Sequence, residues 1–201
     1  MALSLLLVNT SRAEAMQKTI LAFGDSLTAG YGIPMEKSFP AQLEQRLKKQ
    51  GYNVIVVNAG VSGDTTSGGV TRLEWTLRQR PDFVILELGA NDMLRGLDPA
   101  VTRNNLRKML AILKQKKIPV LLAGMKATPN LGPAFEDQYR KMYKALAEEY
   151  DAVYYPFFLD GVATQADLLQ DDSLHPNAAG VAVIVDHVLP LVKKLLDAKR
   201  F

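Results

Sequence analysis

With two histidines and no cysteine, the chain has few choices of base and no thiol nucleophile. His175 lies in Asp171-Asp172-Ser173-Leu174-His175-Pro176, where the proline keeps it out of helical geometry and starts a helix just beyond. An aspartate three residues earlier can fold back onto one ring nitrogen, fixing the tautomer and leaving the other nitrogen free to take a proton. The orienter and base of a catalytic triad could thus come from one turn. His187 sits in the apolar C-terminal stretch, four residues after Val183, and reads as an ordinary helical histidine. Taken alone, Asp-x-x-His-Pro is equally a helix-capping turn, and Asp171, Asp172 and His175 could also hold a metal. The metal reading is the weaker one, because such sites draw on further histidines or carboxylates.

The matching nucleophile is Ser26. The run Ile20-Leu21-Ala22-Phe23 is too short for a helix and ends in Gly24-Asp25-Ser26, as a buried strand delivering a serine to the first βα turn would. Serine is also a common helix cap, so the assignment depends on its partners. The chain order Ser, Asp, His matches the α/β-hydrolases, yet Ser26 lacks their Gly-x-Ser-x-Gly elbow. Ser62 follows the second strand instead of opening a helix after the first, and ranks behind Ser26.

The elements needed to position these groups follow in a regular alternation. After the first strand, Phe39, Leu43 and Leu47 fall at helical spacing and Gly51 stops the helix. Val54 to Val57 predicts a second buried strand, ending in Asn58-Ala59-Gly60-Val61-Ser62-Gly63-Asp64, with Asp64 suited to cap the next helix. That helix carries Val70, Leu73, Trp75 and Leu77, and its tryptophan is expected in the core. Phe83 to Leu88 is a third strand, Ile118 to Ala123 a fourth and Ala152 to Tyr155 a fifth. Helices are expected from Pro99 to about Lys117, from Ala134 to Tyr150, and after Pro176, the last kinked or restarted at Pro190. Short apolar strands separated by helices imply an α/β fold, a parallel sheet with helices on both faces. Its ligands bind at the carboxyl ends of the strands, where Ser26, Gly63 and Asn91 would meet.

Composition narrows the classes further. At 201 residues and 48% apolar content, the chain suits one domain burying roughly 70% of its unfolded surface. The net charge is +3, with lysines gathered where helices end, so no nucleic-acid partner is expected. Ala2 to Val8 is apolar and precedes Ala13-Glu14-Ala15, a small-x-small cleavage pattern, although no basic residue precedes it. Residues 1–15 are therefore read as a truncated or atypical signal and 16–201 as the domain, periplasmic or secreted, with a cytoplasmic location as the alternative. No other segment reaches the roughly 20 apolar residues of a membrane span, so no stable membrane insertion is expected.

Four blocks together resemble the GDSL or SGNH hydrolases: Gly24-Asp25-Ser26-Leu27, Gly63 in its loop, Asn91 in Gly89-Ala90-Asn91-Asp92, and Asp172-x-x-His175-Pro176. Val61-Ser62-Gly63-Asp64-Thr65 and Asn91-Asp92-x-Leu94-Arg95-Gly96 point to the bacterial periplasmic lysophospholipase, thioesterase and arylesterase branch. Ala90 and Met93 stand where that family more often has glycine. The resemblance implies a three-layer α/β/α fold of flavodoxin-like type with five parallel strands, no cofactor and no metal. It also implies a Ser26–His175–Asp172 triad acting on a small acyl ester or thioester. The oxyanion would be held by the backbone N–H groups of Ser26 and Gly63 and the Asn91 amide, with Gly63 letting backbone come close without a Cβ. Asp25, Asp64 and Asn58 are expected to brace loops. Met93, Leu131 and Phe157, with Phe158 as an alternative, would wall the acyl site. The protein is expected to act as a monomer. A carbohydrate O-deacetylase and a non-catalytic acyl-ligand carrier remain the competing readings, and an intact triad argues against the carrier.

Overall fold

The computed structural model describes residues 16–126 and 132–198. The signal reading of residues 1–15 and the assignment of Leu131 lie outside these described residues.

Five strands form one parallel sheet in the order β2-β1-β3-β4-β5, comprising β1 (Lys18–Gly24), β2 (Val54–Gly60), β3 (Phe83–Glu87), β4 (Val120–Ala123) and β5 (Val153–Tyr155). The central strands β1, β3 and β4 are apolar because helices cover both faces. One layer packs α2 (Phe39–Lys49) on α7 (Ala178–Ala198); the other packs α3 (Thr66–Thr76) on α5 (Pro99–Gln115) and α5 on α6 (Pro133–Tyr150). Two short helices, α1 (Ser26–Ala29) and α4 (Ala90–Leu94), lie in the loops after β1 and β3. The three-layer α/β/α expectation holds, with Phe23, Phe39, Phe158, Tyr139 and Tyr143 among the large side chains filling the core.

Register sets the site. Gly24 at the end of β1 pairs with Gly60 of β2 on one side and Glu87 of β3 on the other, so three loops leave the sheet at one level. Strand order reverses between the connections from β1 to β2 and from β2 to β3, making this edge the switch point.

Several expectations are corrected. Trp75 is 67% exposed and not in the core. The buried stripe of α3 is Thr66, Gly69, Leu73 and Thr76, and Trp75, two residues from Leu73, is turned roughly 200° away from it. β2 is an edge strand on which Val54 and Val56 are buried while Ile55 is exposed. Neither does Pro190 restart α7, which runs through it. Pro190 lies on the exposed side together with Asp186, whose carbonyl has no N–H to accept from at Pro190, and the buried stripe continues from Val188 to Val192. Phe158 is fully buried edge-on to Phe39, 5.1 Å between centroids, so it is core and not an acyl-site wall.

These placements predict opposite outcomes for two aromatic deletions. Phe158→Ala should destabilise by about 3–5 kcal/mol, whereas Trp75→Ala should stay within about 0.5 kcal/mol; urea unfolding of each variant measures both.

Candidate active site

Ser26 is the first residue of α1, and Asp25 is its N-cap, accepting the Leu27 N–H at Oδ1 (3.0 Å). The turn closes through the Ser26 carbonyl, which accepts from the N–H groups of Gly30 and Tyr31. α1 lies tightly on the strand ends. A Cβ on Gly24 would sit 2.1 Å from Thr28 Oγ1 and 2.5 Å from Glu87 Oε2, so only glycine admits this approach.

His175 arrives on the loop before α7. Asp172 Oδ1 accepts the N–H groups of both Leu174 and His175 at 2.9 Å, and its Oδ2 lies 2.6 Å from His175 Nδ1. These bonds, the His175 N–H foremost, pull the Asp172 carboxyl down to about 2. It is therefore ionised and can only accept, which puts the ring proton on Nδ1 and leaves Nε2 to face Ser26 Oγ at 2.9 Å. Ser173 takes the left-handed conformation (φ 58°) that lets the turn fold back on itself. The Tyr31 ring lies 4.7 Å from that of His175, and Gln170 Nε2 donates to the carbonyls of Tyr31 and Pro176, tying the first loop to the last.

The other predicted donors come from the two neighbouring loops. Gly63 has φ 78° inside a Val61–Asp64 turn closed at 3.0 Å. A Cβ there would meet no protein atom nearer than 3.8 Å, so within the fold the glycine answers to its backbone conformation. Its carbonyl accepts from Arg95 at the end of α4 (2.8 Å), which fastens the second loop to the third. Asn91 donates one amide N–H to Asp25 Oδ2 at 3.0 Å. Next to it, buried Asp92 accepts from the Thr66 N–H (2.8 Å) and from the hydroxyls of Thr66 and Thr102, anchoring α4 to α3 and α5. Asp64 does not cap α3; Thr65 does, while Asp64 pairs with Arg72 at 2.7 Å. Asn58 satisfies the Ala29 carbonyl and the Gly60 N–H.

A cavity of about 220 Å³ opens beside Ser26, Asn91 and His175, walled by Met93, Met125 and Phe157. Gly63 does not line it. Lys126 lies over the Phe157 ring at 4.9 Å. Sequence reasoning missed Met125, Tyr31 and Glu87, and quoted Arg95 only as part of a block, without a role. Glu87 also carried a signal, as the one charged residue in the apolar run Phe83–Leu88.

Glu87 and Asp25 are both fully buried and adjacent. Burial pushes Asp25 up to about 6 against the opposing bonds from Leu27 and Asn91. Burial and then the Asp25 charge hold Glu87 well above the usual carboxylate range.

A serine held by a histidine, itself held by a carboxylate, at the switch point of a three-layer α/β/α fold defines a serine hydrolase. The sequence model of the GDSL-like Lipase/Acylhydrolase family matches residues 22–183. An arylesterase of Vibrio mimicus is 41% identical over 92% of this chain and 94% of its own. Thioesterase 1/protease 1/lysophospholipase L1 of Escherichia coli is 35% identical over 96% of this chain and 91% of its own. Among solved structures, the psychrotrophic esterase EstA from Pseudoalteromonas, inhibited by monoethylphosphonate, superposes with TM-score 0.84 at 32% identity, over 90% of this chain and 99% of its own. The chain belongs to the GDSL-like lipase/acylhydrolase family and is a carboxylic ester hydrolase.

The buried carboxyls make stability depend on pH. An unfolded Glu87 ionises near its ordinary 4.5 while the folded one keeps its proton, so the unfolded chain binds fewer protons and stability falls as pH rises above that value. The melting temperature of Glu87→Gln relative to wild type should therefore climb between about pH 4 and pH 8. Thermal unfolding across that range checks it, and a flat difference would contradict a neutral buried Glu87.

Proposed function

We propose that Ser26 is the nucleophile, His175 the general base and acid, and Asp172 the orienter, in one domain that hydrolyses acyl esters and thioesters through an acyl-enzyme. The observation that carries the reading is the unbroken contact chain Ser26 Oγ–His175 Nε2 at 2.9 Å and His175 Nδ1–Asp172 Oδ2 at 2.6 Å. Ser26 Oγ bonds to the acyl carbon as its proton passes to Nε2, and the carbonyl π pair moves onto oxygen. The ionised Asp172 stabilises the imidazolium so formed. Collapse of the tetrahedral intermediate breaks the bond to the leaving alcohol or thiol, which takes the proton from Nε2. Water then repeats both steps on the acyl-enzyme, releasing the acid and restoring Ser26.

The oxyanion is held by the N–H groups of Ser26 and Gly63 and by the Asn91 amide proton that Asp25 does not take. The acyl chain lies along Met93 and Phe157 in the adjoining cavity, whose walls are mainly apolar. That lining favours fatty acyl groups over the acetylated sugars of an O-deacetylase. A monomer suffices for this chemistry, since all the groups named belong to one chain. Residues 1–15 direct export, and cleavage after Ala15 would leave Met16 as the mature N-terminus.

Ser26→Ala should abolish turnover of nitrophenyl esters with the fold intact, and Asn91→Ala should lower kcat by about 10²–10³. A serine-directed phosphonylating reagent should add its mass to the peptide holding Ser26; labelling at Ser62 would overturn the assignment. Within a nitrophenyl ester series, activity should exceed that on acetylated sugars, and the reverse order would favour the deacetylase.

A further inference from the structure

One buried ionisable group takes no part in that mechanism. Glu87 closes β3 in register with Gly24 and Ala123, two neighbours without bulky side chains, and its carboxyl reaches across the end of β1 beneath α1. Oε2 accepts the Thr28 hydroxyl at 2.7 Å and the Asp25 N–H at 3.3 Å. Oε1 is buried with no partner among the described residues. Nor does any cation pair with it there: Arg72, the guanidinium on this edge, gives its N–H groups to Asp64 and to the carbonyls of Ala59 and Gly24. A carboxylate stranded in this way is disfavoured, and a neutral acid fits the site.

We propose that Glu87 is a positioning residue for the oxyanion site, holding the first turn of α1 through Thr28 and Asp25 and, through Asp25, the amide of Asn91. The inference rests on the oxyanion reading given above. Asp25 is the link. Its N–H is fixed by Glu87 while its Oδ2 takes one of the two amide protons of Asn91, which turns the second proton away from Asp25 toward the cavity that Asn91 lines. The same turn carries the Ser26 N–H. Loss of the Glu87 anchor would let two oxyanion donors drift together, while the Asp172–His175 pair, set by the loop before α7, keeps its place. Its effect should fall on kcat and spare KM, because those donors act on charge that develops only in the transition state.

The test is a double-mutant cycle on the full chain, with kcat and KM for a nitrophenyl ester and thermal unfolding of every variant. Glu87→Gln, neutral and still an acceptor, should keep kcat within about threefold of wild type, whereas Glu87→Met should lower it at least about tenfold with KM nearly unchanged. In the Asn91→Ala background Glu87→Met should cost clearly less than in wild type, because the part of its effect carried by Asn91 is already gone and only the drift of the Ser26 N–H remains. Wild-type kcat in a folded Glu87→Met, additive losses in the double variant, or a folded Gln variant as impaired as the Met variant would each overturn the proposal. Should Glu87→Met not fold, Thr28→Val removes the donor to Oε2 and must lower kcat in the same way; an unaffected Thr28→Val overturns the proposal too. If Asn91→Ala itself leaves kcat intact, the oxyanion reading fails. If Asn91→Ala loses activity and the Glu87 variants do not, only the positioning role fails.

Discussion

The carboxyl edge of the sheet depends on how the buried Asp25 carboxylate is satisfied. Placing an ionised group in the interior is unfavourable unless hydrogen bonds replace its water. Asp25 is answered by the Leu27 N–H at one oxygen and the Asn91 amide at the other. Those two bonds cap α1 and fix the third loop, so the groups that satisfy Asp25 are the groups that frame Ser26. Because burial outweighs those bonds, Asp25 is pushed upward, and Glu87, buried beside it, is pushed well above the usual range by its own burial and then by the Asp25 charge. Local electrostatic tension and local order here share one origin.

Much of this was legible in the sequence, for reasons that differ from residue to residue. The strands announce themselves by apolar runs, and Asp172-Ser173-Leu174-His175 is a turn whose contacts lie within four consecutive residues. Ser26 was legible because the loop that ends β1 opens a helix. Trp75 was misplaced because an apolar residue near a helical stripe need not be in phase with it, and two residues' offset is nearly half a turn. The positive φ of Gly63 could not be read from residue type beyond the glycine itself. Asp25–Glu87 stayed hidden because the partners are 62 residues apart and meet only through strand register. Local patterns hold no record of register.

The three switch-point loops are joined by few, specific bonds. Arg95 reaches from the third loop to the Gly63 carbonyl of the second, and Gln170 from the last loop to the Tyr31 carbonyl of the first. Beneath them Arg72 reaches the ends of both β1 and β2 and stacks over Phe23 at 3.8 Å. Carbonyl oxygens are the acceptors in these bonds, so the residues that supply those carbonyls can vary in side chain without disturbing the frame. That freedom is where an acyl site such as the cavity walled by Met93 and Phe157 can be reshaped.

The Asp172–His175 turn has a further consequence. Asp172 and His175 travel as one piece of chain, while Ser26 belongs to the far end of the sequence, 149 residues away. The separation between Nε2 and Oγ, with the Gln170 bond to Tyr31 beside it, reports how the chain before α7 rests on the first loop. Partial opening there, the kind of subglobal excursion that precedes complete unfolding, would silence the enzyme while the rest of the molecule stays folded. Catalysis is in this sense a gauge of how the loop before α7 docks on the first loop.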